Sequence, residues 1–238
     1  MNKRPFFLVL EGMDGSGKSS HTQAVAQRLD DALSDGGGTP EARQKQRVLQ
    51  LREPGSTSIG ERLRALMLHE DLSANVYASL MFASRQAMVE QCIVPAFEQG
   101  IHVVCDRWIP STFAYQSAGQ GLPQDIVWRH EALLHASRPA SCPWNLQPDL
   151  ILYFDLPPDV ARARVLADAT RSGGLDVFER RDTAFFTRVR NSYKGLAASG
   201  ECAKAWAVID ATHPIERVRA QAIEAVDAAM DRYVRSVA

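Results

Sequence analysis

Gly12-Met13-Asp14-Gly15-Ser16-Gly17-Lys18-Ser19 decides how the rest of the chain is read. The stretch fits G-x-x-x-x-G-K-[ST], the spacing of a phosphate-cradling loop. Ahead of it, Phe6-Phe7-Leu8-Val9-Leu10 is a short unbroken apolar run, as expected of a strand buried on both faces of a parallel sheet. Behind it, Val25, Leu29 and Leu33 recur at every fourth position, the stripe of an amphipathic helix from about 18 to 33. Strand, glycine loop and helix thus come in the order that an anion site requires. Loop N–H groups close around the anion, and the helix points its positive dipole end at the same place. This loop, with Ser20 after it, is predicted to hold the phosphates of a nucleoside triphosphate. Lys18 then reaches the β- and γ-phosphates, and the Ser19 hydroxyl sits on Mg²⁺.

The totals narrow the possibilities. The chain of 238 residues carries 27 lysines and arginines against 28 aspartates and glutamates, a formal charge of −1. Such balance argues against a protein that coats duplex DNA, so no nucleic-acid partner is expected. It leaves room for a local basic pocket around a small phosphorylated ligand. Cys92, Cys105, Cys142 and Cys202 are widely spaced and form no C-x-x-C pair. Cys92 and Cys105, in apolar surroundings, are expected to be buried thiols. No apolar run has the length of a membrane span, and the five apolar residues after Lys3-Arg4 are too few for a signal-peptide core. A cytoplasmic protein with no membrane partner is expected.

Strands alternate with helices along the chain. Val48-Leu49-Gln50-Leu51, Ile101 to Cys105, Leu150 to Phe154 and Ala205 to Ile209 read as four further strands. Helical patterns cover about 59–68, 74–97, the stretch from Pro123 to Arg138, the region after Pro157-Pro158, 183–198 and 214–233. The polar stretch from Asp35 to Gln46 reads as an exposed connection, and Ser172-Gly173-Gly174-Leu175 as a break. The expectation is an α/β fold: a five-stranded parallel sheet flanked by helices, of P-loop NTPase type, in a single domain over 1–238 with a lid segment at about 168–182. In such sheets ligands sit beyond the carboxyl ends of the strands. Arg52-Glu53 ends the second strand and Asp106-Arg107 the third, and an aspartate there suits a second metal-site carboxylate.

The loop alone does not choose among switches, motors and transferases. No N-K-x-D stretch reads guanine, and several arginines fall at strand ends and glycine breaks: Arg52, Arg85, Arg107, Arg171, Arg180 and Arg181. Phosphoryl transfer between two nucleotides needs such charge around a polyphosphate, with water shut out. Together, Gly12 to Ser19, Arg52-Glu53-Pro54-Gly55, Asp106-Arg107, and Ser111 with Ala114-Tyr115-Gln116 resemble bacterial thymidylate kinases. Leu175-Asp176 with Glu179, and Ile209-Asp210-Ala211-Thr212, fall in the family's order, so the resemblance spans nearly the whole chain.

The resemblance implies transfer of the ATP γ-phosphoryl to dTMP, with Mg²⁺ and a homodimer. It implies that Asp14 accepts a hydrogen bond from the dTMP 3′-hydroxyl, and that Arg52 and Arg107 grip the acceptor phosphate with their guanidinium forks. Asp106 would hold Mg²⁺ with Ser19, or help orient the acceptor. Arg85 and Gln116 would read the thymine, Ser111 and Tyr115 would line the acceptor pocket, and Ala211-Thr212 would border the adenine. Lys18, Arg107, Asp106 and Arg171 make up the catalytic set.

The sequence departs from the family pattern in several places. The aromatic four residues before the base-reading arginine is replaced by Met81, which leaves Phe82, three before it, as the stacking ring. Gln120 stands where G-R-G has arginine, Trp108-Ile109-Pro110 is more apolar than the family's tract, and Val177 interrupts L-D-R-[FI]-E. Ser16 occupies a loop position where some relatives carry a catalytic arginine. That assigns the role to the lid: Arg171 first, Arg180 second. A kinase for another nucleoside monophosphate and a non-catalytic ATP-binding module are the alternative readings.

Overall fold

The structure, a computed structural model, describes residues 4–34, 47–139, 142–167 and 176–235. The apolar runs form five parallel strands: β1 (Phe7–Glu11), β2 (Val48–Arg52), β3 (His102–Asp106), β4 (Leu150–Asp155) and β5 (Trp206–Asp210). Their order across the sheet is β2-β3-β1-β4-β5. The strand that feeds the phosphate loop is therefore central, with Leu10 beside Asp106 of β3 and Glu11 beside Tyr153 of β4. This register brings Asp106-Arg107 alongside the loop without any contact local in sequence.

Helices cover both faces of the sheet, as expected: α1 (Ser19–Ser34), α2 (Ser58–His69), α3 (Ala74–Met88), α4 (Val94–Glu98), α5 (Ile109–Thr112), α6 (Gln124–Ala136), α7 (Pro158–Ala167), α8 (Thr183–Ser199) and α9 (Ile215–Arg235). Among the described residues no helix is long and apolar enough to cross a membrane. Side-chain caps mark several starts: Thr57 accepts from the Gly60 amide and Asp182 from the Phe185 amide. Gly200, at φ 73°, closes α8 in the left-handed conformation that glycine favours.

Alternation along β1 divides the core. Phe6, Leu8 and Leu10 join Val25 and Leu29 of α1 and Val218, Ala222 and Val226 of α9. Phe7 and Val9 face the other way, onto Met88, Ile93, Phe97 and Trp108. Each large apolar side chain so buried contributes about 1.5–3 kcal/mol.

Two regions differ from the sequence reading. The helix expected over 74–97 is interrupted by a π turn, Val89–Ile93, before Pro95 opens α4. Proline lacks the N–H and crowds the carbonyl four residues back, so the widened turn relieves a conflict that a straight helix would keep. Phe113–Gly119, which no apolar periodicity marks as an element, is also π-helical. It presents Tyr115 and Gln116, neighbours in sequence, to one cavity.

Candidate active site

The loop between β1 and α1 is shaped by close approach. A Cβ at Gly15, where φ is 81°, would lie 2.4 Å from the Ala161 carbonyl of α7, and one at Gly12 would lie 2.8 Å from the Phe154 carbonyl of β4. Only glycine fits either position. Lys18 is buried, with its Nζ 3.7 Å from Asp14 and 3.9 Å from Asp106. An ammonium held at the start of α1, at the mouth of the glycine loop, is placed to receive a polyphosphate.

Ser19 Oγ donates to Asp106 Oδ2 at 3.1 Å. Asp106 Oδ1 is buried without a hydrogen-bond partner among the described residues. Among those residues no three His, Cys, Asp or Glu side chains gather as a metal cluster. Magnesium does not need one: it keeps several waters and takes one or two protein oxygens plus phosphates. Asp106 Oδ1, 3.9 Å from the Lys18 ammonium and on the carboxylate that the Ser19 hydroxyl meets, fits that donor set.

Arg107 follows β3 in a left-handed backbone conformation, φ 75°, uncommon for a residue with a side chain. Its Nη2 donates to Asp14 at 2.6 Å, and its Nη1 to the Gly12 carbonyl, Ser111 Oγ and Tyr193 Oη at 3.1, 3.2 and 3.4 Å. Tyr115 Oη donates to the other Asp14 oxygen at 3.2 Å. Burial alone would raise the Asp14 carboxyl, but the Arg107 and Lys18 charges beside it hold it well below the usual carboxylate range.

A cavity opens next to this pair. Asp14, Arg64, Arg107, Ser111, Tyr115 and Gln116 form its polar lining, and Pro54, Leu68, Tyr77, Met81 and Phe178 its apolar lining, with Glu53 and Asp176 completing it. Asp14, Arg107, Ser111, Tyr115 and Gln116 are thus brought together in one cavity.

Three assignments are corrected. Arg52 does not line the cavity: it is half exposed and its Nη2 donates to both Glu61 carboxylate oxygens at 2.8 Å. Arg64 of α2 supplies the cavity's second guanidinium, tethered to the Pro54 carbonyl at 3.1 Å. Arg85 also stays outside. It is fully buried, and its Nε and Nη2 donate to Glu53 at 2.9 and 2.6 Å. Burial pushes the Glu53 carboxyl up, to about 7, against the pull of Arg85.

Phe82 points away from the cavity and stacks on His130, with ring centroids 4.8 Å apart. Consecutive helical residues are turned by 100°, so Met81 joins the core that holds Tyr77 while Phe82 joins the opposite one. Met81 lines the cavity instead.

Ala211 and Thr212 lie just beyond β5. Ala211 is buried, its carbonyl accepting from Arg164 at 3.0 Å, and the Thr212 hydroxyl donates to Asp210 at 2.6 Å. Neither lines the cavity. Arg171 and the glycine break after it fall outside the described residues. Residues 176–179 fold back on themselves: Asp176 Oδ1 accepts from the Phe178 and Glu179 amides, and Glu179 accepts from the Asp176 amide. That turn sets Phe178 edge-on against Tyr77 and Tyr115, at 4.8 and 5.3 Å, as a cavity wall. Arg180 is exposed and donates to the Asp176 carbonyl.

Arg64 had a usable signal, since Gly60, Arg64 and Leu68 share one face of α2 by their spacing. Glu11 and Tyr193, which reach the site from behind, gave none.

A parallel sheet with a glycine loop on its central strand, a buried lysine, a serine–aspartate pair and an adjacent cavity with two arginines defines a P-loop enzyme of the nucleoside monophosphate kinase class. The thymidylate kinase family model matches residues 10–222. A thymidylate kinase of Bordetella pertussis is 42% identical over 221 residues, covering 93% of this chain and 94% of that one. One of Methylobacillus flagellatus is 38% identical over 218 residues, covering 92% and 95%. The crystal structure of thymidylate kinase from Ehrlichia chaffeensis shares the fold, with a TM-score of 0.68 at 24% identity over 95% of this chain and 98% of that one. The chain belongs to the thymidylate kinase family.

Proposed function

We propose that this protein transfers the γ-phosphoryl group of ATP to dTMP, giving dTDP and ADP. The observation that carries the reading is the convergence on Asp14 of two cationic groups: Lys18 from the phosphate loop and Arg107 from the cavity. A 5′-phosphate oxygen of dTMP attacks Pγ as the bond from Pγ to the ADP oxygen breaks, so a loose, charge-rich phosphoryl passes in line between two oxygens. The protein's task is to position and to stabilise charge.

Lys18 clamps the transferred group, and Arg107 with Arg64 holds the acceptor phosphate. Asp14 accepts from the 3′-hydroxyl, Ser111, Tyr115 and Gln116 line the nucleoside site, and Met81 packs on the base. Arg85 acts one step back, by holding Glu53 in the cavity wall. Ser19 and Asp106, with water, would hold Mg²⁺, which when bound would supply positive charge to offset that of the polyphosphate. Ala211-Thr212 borders the adenine. A homodimer in a cytoplasmic setting fits the family reading.

The test is an assay of the purified protein with ATP·Mg²⁺ and dTMP, AMP, GMP or CMP. Gln116 and the apolar lining suit a thymine edge, so kcat/KM for dTMP is expected to exceed the others by at least about a hundredfold. Equal rates leave a kinase for some other acceptor, and no diphosphate product at all leaves a binding module.

Two variants locate the base. Met81→Ala is expected to raise the dTMP KM about tenfold, the scale of a lost apolar contact, with the ATP KM unchanged. Phe82→Ala is expected to lower stability by removing the His130 stack, without that KM effect. The reverse pattern would restore Phe82 to the base site.

The lid carries its own expectation. Ser16 leaves the phosphate loop without an arginine, so Arg171→Ala is expected to lower kcat while binding of both substrates changes little, as for an interaction made mainly in the transition state. If Arg180→Ala gives that pattern instead, the lid acts through the other arginine.

A further inference from the structure

Glu11, the last residue of β1, is a carboxylate with no exposed surface, placed directly behind the site. Four donors converge on it. Trp108 N and Ser111 N reach Oε1 at 2.8 and 3.3 Å, and Ser111 Oγ and Tyr193 Oη reach Oε2 at 2.7 and 3.0 Å. The same two hydroxyls lie on the far side against Arg107 Nη1, at 3.2 and 3.4 Å.

An ionised carboxylate only accepts hydrogen bonds and a guanidinium only donates them, whereas a hydroxyl does both. With both hydroxyl protons committed to Glu11, the lone pairs of Ser111 and Tyr193 are left facing Arg107. The two hydroxyls also lie 2.9 Å from each other; the carboxylate, which can only accept, draws their protons away from Arg107 and gives the guanidinium a fixed pair of acceptors. It also fastens the Trp108–Ser111 turn directly after the left-handed Arg107 backbone. A buried acid is an expensive choice for packing alone, and burial indeed raises its carboxyl above the ordinary value, with the Arg107 charge and these hydrogen bonds opposing.

We propose that Glu11 is a positioning residue for the phosphoryl-transfer reaction: through Ser111 and Tyr193 it holds the Arg107 guanidinium in the orientation that grips the acceptor phosphate. Tyr193 belongs to α8, the helix that follows the lid segment. The relay therefore ties α8 to the acceptor site. This inference rests on the reading of Arg107 as the acceptor-phosphate residue.

The experiment is steady-state kinetics on Glu11→Gln, Tyr193→Phe, Arg107→Ala and the Tyr193→Phe/Arg107→Ala double variant. Tyr193→Phe keeps the ring and its stack on Tyr153, 5.1 Å between centroids, and deletes only the hydroxyl. Glu11→Gln and Tyr193→Phe are each expected to raise the dTMP KM about tenfold, with the ATP KM within about twofold of the parent. Adding Tyr193→Phe to Arg107→Ala is expected to change the dTMP KM no further, because its route to substrate is gone. Glu11→Gln tests the carboxylate itself; if that variant does not fold, the Tyr193 cycle decides alone. Loss of stability with an unchanged dTMP KM, or a Tyr193→Phe effect that persists at full size without Arg107, overturns the proposal and leaves Glu11 structural. An Arg107→Ala variant with a normal dTMP KM instead overturns the reading of Arg107, and the proposal with it.

Discussion

Lys18→Ala is expected to reduce kcat by about 10²–10³-fold, the usual cost of removing one charged group that stabilises developing transition-state charge in a water-poor site. The expectation rests on geometry. Lys18 is buried between Asp14 and Asp106, 3.7 and 3.9 Å from their oxygens, and is the cation that the loop itself contributes there. Its removal leaves Asp14 still paired to Arg107 and Asp106 still bonded to Ser19. The fold is therefore expected to persist, with cooperative thermal unfolding as the check. Near-normal turnover in the folded variant would remove the loop from the chemistry.

Arg107→Ala is expected to act on the other substrate. The guanidinium is mostly buried and is shared among Asp14, the Gly12 carbonyl and two hydroxyls, so truncation frees several groups at once. A dTMP KM raised by about a hundredfold is expected, the scale of a lost charge-assisted grip of roughly 3 kcal/mol, while the ATP KM changes little. The variant also has a pH signature. Asp14 is depressed in the folded parent, so its ionised form adds stability above the ordinary aspartate pKa, lost as pH falls through the folded value. Without Arg107 that contribution shrinks and unfolding in acid begins at a higher pH. A dTMP KM within twofold of the parent would assign the acceptor phosphate to Arg64 alone.

The sheet was legible because its signals are local. An unbroken apolar run such as Phe6 to Leu10 has few alternatives to a buried strand, and the glycine spacing after it has one main physical use. Asp106-Arg107 was legible for a related reason: ligands gather at the carboxyl ends of parallel strands, and a charged pair there has little else to do. What failed was side-chain direction. Arg52 also ends a strand, yet Glu61, nine residues on, captures it. Met81 and Phe82 differ by one helical step, and that step sends them into different cores. Arg85 carries the right charge but is claimed by Glu53, a partner 32 residues away that no spacing rule connects to it. The π-helical stretch Phe113–Gly119 has no local pattern to announce it, and Glu11 reads as nothing more than the polar end of a strand until Ser111 and Tyr193 are folded over it.

Transfer itself is tested most directly by following the terminal phosphorus atom. With γ-³²P-labelled ATP, Mg²⁺, dTMP and the purified protein, the label is expected in the β-position of dTDP, stoichiometric with ADP, and absent from inorganic phosphate. Label released as inorganic phosphate, or left on ATP while dTMP is bound, would contradict a phosphoryl transfer from the loop at Lys18 to an acceptor held by Arg107.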